Sequence, residues 1–143
     1  MSTLSAAIAA SRSALTAERI RLEASVSNLA NAESTRGPDG KTYRRREVLL
    51  QTDMVGAFDA ALGRAGAASG VKVAAIVEDP SDFRRRYEPS PPDAYTEGFV
   101  TLPNVDPAEE MVDMLSAARA YQANLAAIGL IRDLVQRSLE LGK

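Results

Sequence analysis

Residues 106–141 read DPAEEMVDMLSAARAYQANLAAIGLIRDLVQRSLEL, and this run decides the fold. Asp106 offers a side-chain oxygen to the free amides of a helix start. Pro107 suits the first helical position, and Glu109 and Glu110 favour the positive end of the helix dipole. Apolar side chains then recur three and four apart at Met111, Met114, Ala118, Tyr121, Leu125, Ile128, Val135 and Leu139. Arg132 is the polar break in that seam. A second stripe runs beside it through Ala117, Ala120, Ala127, Ile131, Leu134 and Leu141. One partner helix covers one stripe, so two stripes predict burial by more than one neighbour. The expected helix reaches about Leu141, is roughly 50 Å long, and stops at Gly142.

The other end of the chain carries the same signal more weakly. Ser2 to Ala32 contains no Gly or Pro, and Ile8, Leu15, Leu22 and Leu29 recur every seventh residue. A seven-residue repeat keeps one seam facing a partner over many turns. The alternate seam positions are Ser11, Glu18 and Ser25, so the seam is thin and the helix needs a neighbour. The expectation is that this helix is largely disordered before assembly. Asn28 and Asn31 lie on one face near its end. One reading has them satisfy helix-terminal carbonyls and solvent. The other has their amides bond to neighbouring chains and fix register.

Between the helices the pattern changes. Tyr43–Thr52 and Val71–Glu78 have β character, with Val71, Val73 and Val77 on one face by two-residue alternation. Phe83–Tyr87 and Phe99–Leu102 are further short strands. Gly63–Gly70 reads as a flexible loop, and Pro89, Pro91 and Pro92 make Glu88–Asp93 irregular. The fold class expected is mainly α with a small β-rich insert. Long terminal helices would form a coiled-coil-like pair. The divisions are 1–35 (N-terminal helix), 36–103 (insert, with the flexible loop near 63–70) and 104–143 (C-terminal helix), together one structural unit.

Composition narrows the chemistry. The 143 residues include no Cys, no His and no Trp. A disulfide framework, thiolate or imidazole metal sites and His-dependent catalysis are thereby excluded. Net charge is −2, from 17 basic and 19 acidic residues, which gives no strong positive field for nucleic acid. The apolar fraction of 45% against 5% aromatic favours close helix packing through small side chains. No run approaches a membrane span or a signal-peptide core.

Candidate sites are few. Glu109 and Glu110 point about 100° apart on a helix, so they read as a charged first turn and not as a catalytic pair. Asp79, Asp82, Glu88 and Asp93 lack the spacing of a calcium loop. The triplets Arg44–Arg46 and Arg84–Arg86 fall in expected strands, where they read as inter-subunit ion pairs or edge protection. No catalytic residue, cofactor or metal is expected.

Two segments resemble a known family. Ser25-Val-Ser-Asn-Leu-Ala-Asn-Ala-Glu-Ser-Thr35 resembles the N-terminal signature of the bacterial flagellar axial rod and hook family. Residues 87–106, YEPSPPDAYTEGFVTLPNVD, are similar to the proline-rich stretch and the Gly-aromatic-Val, Pro-Asn-Val run of its proximal-rod branch. Glu109–Met114 and Ala118–Asn124 continue that likeness. The family usually has a His near Pro91, Asn for Asp106, Tyr for Phe99 and Glu for Gln122. The resemblance implies a structural rod subunit of the flagellar basal body, exported without a cleaved signal peptide through the flagellar type III apparatus. It implies a periplasmic helical tube built with copies of itself, other proximal- and distal-rod proteins and the MS-ring junction, transmitting torque to the hook. No nucleic acid, small-molecule substrate or direct membrane insertion is implied.

The expected assembly interface pairs Ile8, Leu15, Leu22 and Leu29 with Met114, Ala118, Tyr121, Leu125 and Ile128 inside the subunit. Ile131 and Leu134 would meet neighbours, with Asn28 and Asn31 fixing register. The alternative is a coiled-coil adaptor or secretion-linked structural protein outside the rod. It leaves the Asn-rich signature and the Pro-Asn-Val run unexplained together. An enzyme ranks third.

Overall fold

The computed structural model describes residues 2–37, 40–53, 70–89 and 98–141. Helix α1 spans Ser2–Asn31, followed by strands β1 (Arg46–Asp53), β2 (Gly70–Glu78), β3 (Arg84–Tyr87) and β4 (Phe99–Leu102), then helix α2 (Pro107–Leu141). Most of the expected 63–70 loop, the Pro91–Asp93 turn and the Gly142 stop lie outside the described residues. At the start of α2 the Ala108 amide donates to Asp106 Oδ1 at 2.8 Å, and the Glu110 amide to the Asp106 carbonyl at 3.0 Å. Asp106 is thus the cap its position predicted.

The expectation of a mainly α chain with a coiled-coil-like helix pair is overturned. The strands form two separate antiparallel two-stranded sheets, β1–β2 and β3–β4. Helix α1 packs against β1 and β2 as well as α2, so it has three neighbours and not one seam. Its buried residues are Ala17, Ser25 and Asn28, off the row of Ile8, Leu15, Leu22 and Leu29, which stays half-buried. On α2, Ala117 is fully buried, while Leu125 and Leu139 of the expected seam are 56% and 68% exposed. Large knobs at both seams define a coiled coil. Here close contact comes instead from alanines and from polar residues satisfied by the strands.

In the first sheet Leu49 pairs with Ala75 and Leu50 with Val73, leaving Ala74 as a bulge. The bulge breaks the alternation that put Val77 on the face of Val71 and Val73. Ser13 on α1 ties the start of β2 down: its hydroxyl donates to the Ala10 carbonyl and accepts from the Val71 amide at 3.0 Å. Gly70 allows that approach, because a Cβ there would lie 2.8 Å from Ser13 Oγ.

In the second sheet the Tyr87 and Phe99 rings meet edge-on, 5.3 Å between centroids. Gly98 precedes Phe99 with φ of 78°, and a Cβ at that position would sit 2.9 Å from the Tyr87 ring. The core lies where β4 leads into α2, at Val100, Leu102, Pro103 and Val105.

Candidate functional site

The two signature segments converge on one short piece of backbone. Asn28, 2% exposed, donates from Nδ2 to the Arg46 carbonyl and accepts the Arg46 amide at Oδ1, both at 2.9 Å. The Tyr43 hydroxyl donates to the same Oδ1 at 2.9 Å and lies 3.1 Å from Ser27 Oγ. One residue earlier, the Arg45 amide donates to Asn104 Oδ1 at 2.9 Å. Asn104 Nδ2 donates in turn to the Asp79 carbonyl at 3.1 Å and Ser81 Oγ at 2.8 Å. The backbone at Arg45 and Arg46 is therefore clasped by an asparagine from α1 and another from the Pro-Asn-Val run. Asn31 instead donates to the Ser27 carbonyl at 2.8 Å, closing its own helix. Of the two amides in the Asn-rich turn, one closes the helix and the other joins it to β1.

Arg45 extends the clasp to α2. Its Nε donates to Glu110 Oε1 at 2.6 Å, with Asp113 at 3.4 Å and Asp79 at 3.7 Å. The Glu110 hydrogen bond, reinforced by the charges of Glu110 and Asp113, raises the Arg45 pKa against the effect of burial. Asp79 lies below its ordinary value because the Ser81 amide and hydroxyl bond to it, helped by the Arg45 charge. Glu110 is 1% exposed and is not the solvated first-turn acid its sequence neighbourhood suggested. The legible signal was its place one and two turns before Met114 and Ala117, on the helix face that turns inward.

The arginine triplets also act inside the chain. Arg84 Nη2 donates to the Ala32 carbonyl at 2.9 Å and its Nε to the Pro103 carbonyl at 3.1 Å. Arg86 pairs with Glu33 at 2.7 Å and Glu88 at 2.8 Å, and the Glu33 bond raises its pKa. These contacts fasten the second sheet to the end of α1. Only Arg46 of the first triplet lies in a strand, since side-chain acceptors take up the amides before and at it.

The other sequence-predicted residues are distributed along the helices. Ile8, Leu15, Leu22, Leu29 and Asn31 are half-buried on α1; Met114, Ala118, Tyr121, Ile128 and Ile131 are half-buried on α2. Leu125 and Leu134 are 56% and 61% exposed. Leu115, Leu130 and Leu139 are also more than half exposed, and every side chain from Arg132 to Leu141 faces outward. Arg21, Ala24 and Ser25 share a small pocket with Glu110 and Asp113, so the end of α1 lies at the start of α2 and the helices run antiparallel. No helix among the described residues is long and apolar enough to cross a membrane.

Unspent apolar helix surface, presented by a clasped β region, defines a structural subunit built for association. The family described as flagellar basal body rod FlgEFG protein C-terminal matches residues 96–141. The flagellar basal-body rod protein FlgC of Bacillus subtilis is 44% identical over 142 residues, covering 93% of this chain and 94% of that protein. That of Salmonella typhimurium is 43% identical over 131 residues, 92% of each. That of Borreliella burgdorferi is 37% identical over 136 residues, 89% of this chain and 90% of its own. The chain belongs to the FlgC family of flagellar basal-body rod proteins. The family is a structural class, not an enzyme class; the role is that of a rod subunit in the flagellar basal body, assembled with other rod components.

Proposed function

We propose that the chain polymerises with copies of itself and with other proximal- and distal-rod proteins into the helical tube that carries torque from the MS ring to the hook. It reaches the periplasm through the flagellar type III export apparatus without a cleaved signal peptide. A chain free of Cys suits that route, because a stray thiol would mispair in an oxidising compartment. The observation that carries the assembly mode is the outward apolar surface of α2, where Leu125, Leu130, Leu134 and Leu139 are all more than half exposed. Leu125 and Leu139 project from one side of the helix and Leu130 and Leu134 from the other, so the exposed leucines suit association with more than one neighbour. Contacts between different faces of one chain build an open helical filament where their rotation does not close on itself.

Within the subunit, Ile8, Leu15, Leu22 and Leu29 lie toward Met114, Ala118, Tyr121 and Ile128. Leu125, Ile131 and Leu134 meet adjacent subunits. The neighbours include the proteins of the MS-ring junction. Leu125→Asp or Ile131→Asp, expressed at normal level, should leave no rods in purified basal bodies and no swimming. Normal swimming by either variant would overturn the assignment.

A further inference from the structure

The six arginines of the two triplets divide by direction. Arg45, Arg84 and Arg86 are ion-paired to carboxylates of their own chain. Arg44, Arg46 and Arg85 make no ion pair among the described residues, and all three line one groove of about 1260 Å³. In β3 strand alternation performs the sorting, and Arg85 turns away from Arg84 and Arg86. In the first triplet Arg45 is drawn to Glu110 while Arg44 and Arg46 line the groove.

The groove lies between the two sheets. Arg46 and Glu78 are the last pair of the first sheet, and Arg85 and Thr101 are cross-strand partners in the second. Arg36 and Lys41 complete a set of five cationic residues lining the groove, which Glu78 and Asp82 also line. Two of the guanidiniums are held in place before any partner arrives. Arg44 stacks on Phe83 at 4.3 Å and anchors Nη1 on the carbonyls of Asp79 and Ser81 at 2.9 and 3.1 Å. Arg46 lies 5.7 Å over the Tyr43 ring, on a backbone fixed by Asn28. A stacked, planar guanidinium loses little freedom on meeting a carboxylate and presents a two-pronged donor to it.

We infer that this groove docks an acidic segment of a neighbouring polypeptide. Three guanidiniums that make no ion pair among the described residues line one groove and call for carboxylates in the partner. Glu78 and Asp82 repel an unbroken polyanion, so a nucleic acid or polyphosphate fits worse than a peptide with spaced acids. That the neighbour is another rod subunit rests on the proposed assembly; the groove's chemistry does not.

The test uses the full chain in assembled basal bodies. Because the sequence has no Cys, Thr101→Cys supplies a single thiol in the groove wall for a photo-crosslinker. The expected adduct is with a polypeptide segment bearing at least two carboxylates within about six residues, and its yield falls about fivefold or more when Arg46→Gln and Arg85→Gln are added. An adduct with glycan, an adduct with a segment lacking acids, no adduct, or a yield indifferent to those substitutions would overturn the inference. If that yield is unchanged while Leu125→Asp abolishes rods, the groove assignment fails and the helix assignment stands. For purified chain, a Glu-Gln-Glu-Gln-Glu-Gln peptide should bind about fivefold more tightly than hexaglutamine, an advantage lost in Arg46→Gln/Arg85→Gln. A far-ultraviolet circular dichroism melt confirms that the double variant folds; equal binding of the two peptides by the unaltered chain overturns the inference as well.

Discussion

Asn28 concentrates more of the structure in one side chain than any leucine does. Its amide satisfies both polar groups of the Arg46 backbone and the Tyr43 hydroxyl. Asn28→Ala leaves those groups facing a small void, and each unpaired buried group costs about 1–3 kcal/mol. We expect a loss of about 2–3 kcal/mol in urea unfolding of the purified chain, against a change near zero for Val26→Ala, whose side chain is 52% exposed. Equal effects would remove Asn28 from its central role. Asp79 gives the pH counterpart. Its folded pKa lies below the usual 3.8, chiefly through the Ser81 amide and hydroxyl. Its contribution to stability is therefore present above the ordinary carboxylate range and disappears as pH falls through the depressed value. Ser81→Ala keeps the amide and removes the hydroxyl, so the Asp79 carboxyl should move part of the way back up in an NMR titration. A titration identical to the unsubstituted chain would deny the hydroxyl its share.

At the scale of elements, α1 is anchored unevenly. Buried residues begin at Ala17 and cluster toward Asn28 and Ala32, while Leu4 at the other end is 41% exposed. Among the described residues, Ser13 makes the first side-chain bond to the strands. These contacts narrow the expected disorder before assembly to the first turns of α1: amide hydrogen exchange on the monomer should be fast before residue 12 and slowed from Ser13 to Asn31. Uniform protection from Leu4 onward would contradict that gradient. The strands were legible in the sequence: β4 coincides with its expectation, and the others lie within about three residues of theirs. The first starts late because Asn28 and Asn104 capture the amides at Arg45 and Arg46. Alternation cannot report a side-chain acceptor 18 or 59 residues away. The coiled-coil expectation failed for a related reason. The heptad row counts apolar residues, whereas α1 buries Ser25 and Asn28, polar groups made acceptable in Asn28's case by β1.

At the scale of the whole molecule, the buried apolar set is small for a chain this long: Ala17, Ala32, Val100, Leu102, Val105 and Ala117 among the described residues. The buried Ala17 and Ala117 fit the close packing through small side chains that the alanine-rich, aromatic-poor composition predicts. The sequence did not foretell the groove. Six arginines in two triplets look alike as text; only the fold separates those turned toward Glu33 and Glu110 from those turned toward open space. The partner of the buried Glu110 was likewise hidden, because it lies 65 residues away.

The outward residues Arg132–Leu141 are the last ten of α2, about 15 Å of helix. Subunits laid side by side with such an offset overlap like bricks in staggered courses. In a rod built by the proposed contacts, no plane across the shaft would pass through joints alone, and a twisting load would cross from one subunit to the next along a lap and not at a butt end. The leucines that leave the single chain unfinished would give the stack its resistance to shear.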